Sequence, residues 1–341
     1  MVTHVPVPVN SLRRTFLRMD SPVHESMQHV ELQPGIQYDI PFKFIVPREL
    51  PVHVCHHKCC SAQLQQEHLN LPSSLGHASN SFGVAHDMAP KEAQVIYEIA
   101  FTIWDTDNSK DGSMKKIQEY NFPIYILPKR RELAPVFVHS RSGYYRLNSQ
   151  KPLSKGLFRS SLGLLRASTA QPSAIQIPTT LSRDNVELTT TLRVDITFEP
   201  AHPQIKPPSR ITPTLHLKAM TFWGMEPWEQ FPDQTHASTW DARKAYWFEN
   251  IPLSSNKLIL HWRSCLPARK SDHEPSCHTA YMTSIDIPIV LPGNYLYSPT
   301  FHSCFISRVY ALSASLSFHS HDKAHGTSRL SLKTPVQIIA T

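Results

Sequence analysis

The chain has 341 residues, of which 40% are hydrophobic and 18% charged, and at about 150 residues per domain this length predicts two domains. It contains 29 prolines and only 10 glycines, a balance that favours strand ends and loops over glycine-rich phosphate-binding loops. The net charge of +7 indicates a mildly basic surface, which suits acidic partners such as phosphopeptides, acidic tails or anionic lipid. No nucleic-acid recognition motif accompanies that charge.

The sequence lacks the usual signals of secretion and of membrane insertion. No window of about 18 residues is continuously apolar, so no transmembrane helix is predicted. Residues 1–6 contain neither an apolar core nor a cleavage site, and they are not interpreted as a signal peptide. Six cysteines in a chain of this length are too few for a disulfide scaffold. Together these features predict a reducing, cytoplasmic setting.

The first part of the chain shows the alternation of apolar and polar residues that places one face of a strand in a core and the other in water. Strands are predicted at 15–19, 38–46, 93–104 and 116–127. Between the second and third of these strands, residues 50–92 are rich in His, Ser, Asn and Cys and are interpreted as a loop. A short helix is predicted within this loop at 61–69, and Leu71 and Pro72 would end it.

A linker is predicted at 127–135, where a charged run bracketed by prolines follows a completed strand. This linker places the domain boundary after residue 132, so the predicted domains are residues 1–132 and 133–341. Strands of the second domain are predicted at 156–168, 174–178, 188–198, 213–223, 245–251, 257–263, 279–291, 305–318 and 328–339. Short strands separated by Pro, Ser and Asn turns are typical of a β-sandwich. The sequence therefore predicts an all-β protein.

The strongest metal-binding candidate is the segment 53–60, which holds three cysteines and three histidines. Thiolates and imidazoles are the ligands that zinc prefers, but a zinc knuckle needs two separated ligand pairs. Here a second pair would have to come from His68, His77 or His86. We therefore predict a buried or half-buried Cys/His cluster at a strand edge, and we assign no metal site and no cofactor. The alternative is a metal-dependent enzyme built on this cluster.

Two further segments offer metal ligands in weaker patterns. Residues 107–112 match the first half of an EF-hand loop, but Gln118 occupies the position that requires Glu, and both flanks have strand patterns. Asp-Gly and Asn-Ser are also turn sequences, so this segment is predicted to be a hairpin loop. The histidines of 319–325 are likewise interpreted as part of a solvated hairpin loop.

The common catalytic signatures are missing from the sequence. It has no Gly-x-Ser-x-Gly elbow, no Walker loop, no Gly-x-Gly-x-x-Gly and no His-Glu-x-x-His, so we predict that the protein is not an enzyme. Basic residues near the boundary could instead hold carboxylate or phosphate groups of a partner. The candidate partner-binding residues are Lys129, Arg130, Arg131, Lys151, Lys155, Arg159 and Arg166. The alternative is that they are strand-edge charges that prevent aggregation.

Several segments of the chain resemble arrestins. Residues 40–51 are similar to the Pro-Phe-x-Phe-x-x-Pro-x-x-Leu-Pro stretch of arrestin N-domains, and residues 95–99 are similar to the Tyr-Glu-Ile strand that follows it there. The chain most resembles the fungal arrestin-like proteins of the alpha-arrestin type, over about residues 15–341. The segments that carry this second resemblance are 56–59, 69–76, 155–158, 299–310 and 332–338.

The resemblance implies an arrestin fold of two tandem immunoglobulin-like β-sandwiches and a role as a non-catalytic trafficking adaptor. Such adaptors bind cytosolic tails of receptors or transporters at the plasma membrane or endosomes, and many recruit a HECT-type ubiquitin ligase for endocytosis. Family members carry further strands before the segment that matches residues 15–18, so the N-terminal sandwich is expected to be incomplete. The ligase-binding motif Pro-Pro-x-Tyr is absent, because the chain has only Pro207-Pro208-Ser209-Arg210.

The predicted mechanism is surface recognition, in which a sheet face or an inter-domain groove with Lys and Arg side chains holds an acidic or extended tail. Besides the metal-dependent enzyme, two alternatives remain. One is a structural relic that has no cargo, and the other is a lipid-surface binder that uses the basic residues at the domain boundary.

Overall fold

The fold is known from a computed structural model of the chain. It describes residues 13–21, 33–76, 86–105, 115–135, 144–155, 160–178, 187–234, 237, 243–265, 280–319 and 328–341. Of the described residues, 50% lie in strands and 4% in helices, which confirms the predicted all-β class. Within the same residues, no helix is long and apolar enough to cross a membrane.

The described elements begin with a short 3-10 helix (Val52–Val54) and an α-helix, α1 (Ala62–Leu69). The strands of the described residues are β1 (Tyr97–Asp105), β2 (Lys115–Ile124), β3 (Asn148–Lys155), β4 (Ser160–Thr169), β5 (Ile175–Ile177), β6 (Thr189–Pro200), β7 (Arg210–Gly224), β8 (Lys244–Leu253), β9 (Leu258–Ile259), β10 (Arg263–Cys265), β11 (Ala280–Val290), β12 (Phe301–His302), β13 (Ile306–His319), β14 (Ser328–Val336) and β15 (Ile338–Ala340).

Two antiparallel sheets pack together in the part of the chain that follows residue 143. One has the strand order β10-β11-β6-β4-β3, and the other has the order β12-β13-β7-β8, with β14 beside β13 and β9 beside β7. In β6, Leu192, Val194, Ile196 and Phe198 are buried while the residues between them are exposed or half-buried. These four residues share one hydrophobic core with residues of β7, β13 and β14. The alternation in the sequence thus gives each sheet one buried face.

The described residues before the linker form a smaller structure. Strands β1 and β2 pair antiparallel, with Phe101 opposite Tyr120 and Ile99 opposite Phe122. Phe101, Tyr120 and Phe122 remain 39%, 49% and 57% exposed, and no second sheet covers them among the described residues. A small core that includes Leu71, Tyr97 and Phe301 joins this part to the strand region that follows.

The predicted linker is held firmly against the end of the chain. The Arg130 amide donates to the Ala340 carbonyl oxygen at 3.1 Å. The Leu133 amide donates to Gln337 Oε1 at 2.8 Å, and Gln337 Nε2 donates back to the Leu133 carbonyl oxygen at 2.9 Å. Strand β15 itself pairs in parallel with β5. The linker therefore docks on the sandwich, while the domain boundary after residue 132 stays a prediction.

The two earliest strand predictions were wrong for the described residues. Residues 38–46 and 15–19 form no strand. In the first segment, the apolar side chains of Phe42 and Ile45 are 60% and 76% exposed. Alternation gives a chain the right period for a strand, but a strand also needs a neighbour that accepts its hydrogen bonds. Pro41 within this segment and Pro47 directly after it lack the amide donors that such a ladder would use.

Several later boundaries also differ from those that the sequence predicted. The segment 257–263 is not one strand: it contains β9 and only the first residue of β10, and these two strands belong to different sheets. The segment 328–339 divides into β14 and β15 in the same way. Strands β3 and β12 were not predicted, because β3 is an edge strand of mostly polar residues and β12 has only two residues. The helix predicted at 61–69 is confirmed as α1.

Candidate functional site

A group of cysteine and histidine side chains meets where a loop turns into helix α1. The loop follows the short 3-10 helix, and the α1 N-terminus is capped by Ser61, whose Oγ accepts a hydrogen bond from the Leu64 amide at 3.2 Å. The inner face of α1 carries His68, which is 1% exposed, towards the loop. We call this group the Cys/His cluster, and its members are Cys55, His57, Cys59 and His68.

The donor atoms of the Cys/His cluster all lie within 4.8 Å of one another. The two sulfurs are 3.9 Å apart, which leaves them well beyond the S–S bond length of about 2.0 Å in a disulfide. Nδ1 of His68 lies 3.6 Å from Cys55 Sγ and 3.7 Å from Cys59 Sγ. Nε2 of His57 lies 3.9 Å and 3.7 Å from the same two sulfurs. The four donors therefore surround a common point.

Burial keeps the side chains of the cluster neutral at pH 7. Desolvation is the main reason why the pKa values of Cys55 and Cys59 rise to about 11. Desolvation lowers the pKa of His68 to about 4, and the neighbouring His57 adds to this effect. The pKa of His57 is also lowered by desolvation, against a backbone hydrogen bond with Trp228 that raises it. Neutral thiols thus face neutral imidazoles.

The loop that carries the cluster is tied to the sandwich. The Cys60 amide donates to the Glu229 carbonyl oxygen at 2.7 Å, and the Trp228 amide donates to the Cys304 carbonyl oxygen at 2.8 Å. Cys304, which is 4% exposed, directs its thiol at the carbonyl oxygen of Val54 at 3.9 Å. The cluster therefore sits on a fixed support made by the segments that follow β7 and β12.

A cleft of about 740 Å³ opens beside the C-terminal end of α1. Its walls come from residues 46–48, from the end of α1, from the linker and from the end of β15. Arg48, Lys129 and Arg131 are exposed on this cleft, and in the described part of the chain none of the three forms an ion pair. We call this feature the basic cleft.

Arg130 lines the basic cleft but is already engaged. Its Nη1 lies 3.0 Å from Glu67 Oε2, and its Nη2 donates to the Leu71 carbonyl oxygen at 2.8 Å. The two charged side chains are only 10% and 5% exposed. Desolvation lowers the pKa of Arg130 and raises that of Glu67, and in each case the partner's charge opposes the shift. Arg130 therefore forms part of the wall of the basic cleft, whereas its neighbours Lys129 and Arg131 are exposed to solvent.

The remaining predicted partner-binding residues lie elsewhere. Arg166 on β4 is hydrogen-bonded to Glu199 and, at 3.3 Å, to Gln150 Oε1, and it lines a separate groove of about 370 Å³. Lys151 is exposed on the edge strand β3. The backbone of Lys155 ends β3, but its side chain lies outside the described part of the structure, as does Arg159 entirely. The predicted group is thus divided between the basic cleft and other surfaces.

The other metal candidates fall largely outside the described residues. This applies to the segment 107–112, to His77 and to residues 320–325. Gln118, the residue that breaks the EF-hand pattern, lies in β2 opposite Ile103. His319 ends β13, and its Nε2 lies 3.1 Å from Thr212 Oγ1. Nδ1 of His86 lies 3.7 Å from Glu249 Oε2, and His86 is not a member of the Cys/His cluster.

Sequence reasoning did not single out Arg48 or Glu67. Helical spacing offered a signal for the second residue, because Leu64, Glu67 and His68 lie on one face of α1 and all three are buried. A carboxylate on the buried face of a helix requires a basic partner. No comparable signal exists for Arg48, because its role depends on the cleft that distant segments create.

Comparison with known proteins adds no relative. Neither the family models nor the curated proteins that were searched gave a match to this chain. The likeness to arrestins therefore depends on the sequence segments that carry it.

Proposed function

We propose that this protein is a non-catalytic, arrestin-like adaptor that binds an acidic, extended segment from the cytosolic tail of a membrane protein. The observation that carries the proposal is the basic cleft. It offers three basic side chains that form no ion pair within the described residues, and its lining also includes the apolar residues Val46, Ile126 and Leu133.

The charges at the basic cleft favour an acidic occupant. Arg48, Lys129 and Arg131 contribute three positive charges, while the charge of Glu67 is neutralised by Arg130. Glu132 also lines the cleft, and one of its oxygens accepts a hydrogen bond from the Ala174 amide at 2.9 Å. The local balance is therefore positive. A basic groove raises the local concentration and the association rate of acidic partners.

The arrangement of the first 132 residues is part of the same proposal. The half-exposed apolar face of β1 and β2 has the composition of a sheet that packs against a second sheet. Such packing would give the tandem immunoglobulin-like sandwiches of the arrestin fold. A fungal arrestin-like protein of this kind acts in the cytoplasm and is recruited to the plasma membrane or to endosomes.

In this proposal the cargo tail binds the protein directly, whereas the ubiquitin ligase is recruited by other components. A HECT-type ligase belongs to the general mechanism of such adaptors. This chain, however, offers Pro207-Pro208-Ser209-Arg210 where WW domains require a tyrosine. We therefore expect no direct binding to an isolated WW domain.

An array of peptides from cytosolic tails of the host's membrane proteins, probed with the full chain, tests the proposal. Acidic peptides are expected to bind, and more weakly as salt increases. The triple variant Arg48→Glu, Lys129→Glu and Arg131→Glu should weaken binding at least about tenfold, which corresponds to about 1.4 kcal/mol.

The matched control reverses three exposed basic residues that do not line the basic cleft, Lys206→Glu, Lys257→Glu and Arg263→Glu. This control changes the net charge equally and should bind as the wild type does. Equal losses in the two triple variants would show that only the overall charge matters. Binding to anionic vesicles but to no peptide would favour the lipid-surface alternative and overturn the adaptor proposal.

A further inference from the structure

We propose that Cys55, His57, Cys59 and His68 form a structural zinc site. This inference goes beyond the adaptor function and does not depend on it. It also revises the sequence-based interpretation, in which the linear spacing of the ligands counted against zinc.

The distances within the Cys/His cluster match a tetrahedral zinc centre. With Zn–S bonds of about 2.3 Å and Zn–N bonds of about 2.0–2.1 Å, two sulfurs lie about 3.8 Å apart and a sulfur lies about 3.6 Å from a nitrogen. The observed S–S separation is 3.9 Å. The four S–N separations to His68 Nδ1 and His57 Nε2 run from 3.6 to 3.9 Å. Small shifts of these side chains would complete the coordination.

An ordinary packed cluster explains the arrangement less well. Thiols are weak hydrogen-bonding groups, so the two thiols and two imidazoles satisfy one another poorly in a site where Cys55 is only 2% exposed. Coordination of His68 Nδ1, His57 Nε2 and the two sulfurs to one ion would give every inward-facing donor atom of the cluster a strong partner.

Charge balance also favours a divalent ion in this site. Zinc would replace the thiol protons of Cys55 and Cys59, so that one Zn²⁺ enters, two protons leave and two thiolates remain. The filled site is then neutral, because the charges of the ion and the two thiolates cancel, and a neutral site can be buried at little cost. Soft sulfur ligands with imidazoles select zinc over magnesium or calcium.

The number of ligands identifies the site as structural. Catalytic zinc sites keep one position open for water or substrate, whereas structural sites use four protein ligands. All four positions here are supplied by the chain, which argues against the alternative of a metal-dependent enzyme. The linear pattern, with three ligands at 55, 57 and 59 and the fourth at 68, differs from paired Cys-x-x-Cys spacing because α1 folds back over the loop and brings His68 to it.

The zinc ion would join helix α1 to the loop before it. An eight-residue helix is too short to be stable by itself in water, so a crosslink at His68 would fix its position. The same helix carries Glu67, which holds Arg130 at the wall of the basic cleft. The zinc site would therefore support the shape of that cleft.

Metal analysis of the full chain, purified without an affinity tag, tests the inference. The wild type is expected to contain about one zinc per chain, and Cys59→Ser should reduce the zinc content at least about fivefold. Cys60→Ser is the matched control, since Cys60 is the adjacent cysteine, is exposed and lies outside the cluster. It should retain the metal of the wild type. Equal loss in both variants would contradict the assignment.

Cobalt binding keeps the test decisive even if Cys59→Ser does not fold. The wild-type chain is stripped of metal with a chelator and titrated with Co²⁺. A tetrahedral site with two sulfurs should give intense visible bands together with thiolate-to-cobalt charge-transfer bands, and zinc should bleach both. Zinc below about a tenth of an equivalent, together with the absence of these bands, would overturn the inference. Neither result depends on peptide binding, so the zinc site and the adaptor function can fail separately.

Discussion

Adjacent basic residues in this protein have different roles because their surroundings differ. Arg130 is buried against Glu67 and the Leu71 carbonyl oxygen, whereas Arg131 is exposed at the basic cleft. A run of basic residues in a sequence predicts a basic surface, but it does not indicate which of their side chains are exposed. The buried ion pair anchors the linker to α1, and the exposed residues remain available for a partner.

His302 gives the protein a stability that depends on pH. His302 belongs to β12, and its ring packs against the ring of Phe231 and lies near Arg130 and His68. Desolvation is the main reason why its pKa falls from 6.5 to about 3, with Arg130 and then His68 adding to the shift. The folded state therefore binds a proton less readily than the unfolded state does. The resulting stabilisation is complete above pH 6.5 and is lost as the pH falls towards 3.

We predict that urea unfolding will show this loss directly. Two pH units below 6.5, His302 alone should reduce the free energy of unfolding by about 3 kcal/mol. His302→Gln should remove that part of the difference between about pH 7 and about pH 4.5, because glutamine does not titrate. The exposed His202→Gln is the control and should keep the wild-type difference. An unchanged pH dependence in His302→Gln would refute the prediction.

At the scale of elements, a strand depends on its neighbours as much as on its pattern. Apolar and polar residues alternate in 38–46 as they do in β6. Of the two segments, only β6 lies between two hydrogen-bonded partners, β4 and β11. Lys43 and Arg193 make the contrast testable, because both are exposed basic residues in alternating segments. Only Arg193 belongs to a ladder, in which it pairs with Asp286 of β11, and proline is not tolerated within a central strand.

We predict that Lys43→Pro will change the free energy of unfolding by less than about 0.5 kcal/mol, the usual range for surface substitutions. Arg193→Pro should destabilise the protein by about 2 kcal/mol or more, because proline does not fit within a central strand. Chemical denaturation of both variants gives the comparison. A loss of several kcal/mol in Lys43→Pro would mean that the segment is paired after all.

The same reasoning explains how far the sequence could predict the fold and the candidate site. The strands β6 and β11 of the large sandwich were predictable because they bury every second residue. The edge strand β3 was not, because its residues are mostly polar. The sequence shows that several cysteines and histidines are available for the Cys/His cluster. It does not show that His68, and not His77 or His86, is the fourth member, because this depends on where α1 packs, which no local pattern encodes.

At the scale of the whole molecule, one arginine joins distant parts of the chain. Arg308 on β13 is fully buried. It donates to the carbonyl oxygens of Asp87 at 2.6 Å and Met88 at 3.2 Å, to Thr221 Oγ1 at 2.6 Å and to Tyr310 Oη at 3.2 Å. In the described residues no carboxylate lies within ion-pair distance, and these oxygens solvate its charge together with the Tyr310 ring, whose centroid is 5.2 Å from the guanidinium carbon. Arg308 thereby fastens the segment before β1 to the sandwich.

We predict that Arg308→Met will loosen this attachment, because methionine fills similar space but leaves the carbonyl oxygens of Asp87 and Met88 without these donors. The free energy of unfolding should fall by about 3 kcal/mol, since each buried group left unsatisfied costs about 1–3 kcal/mol. Hydrogen exchange should accelerate most at the Val95 amide, which bonds to the Leu75 carbonyl oxygen at 2.9 Å. Arg329→Met, on an exposed position of β14, should change neither quantity. Protection at Val95 that survives Arg308→Met would show that the two parts are held together by other contacts.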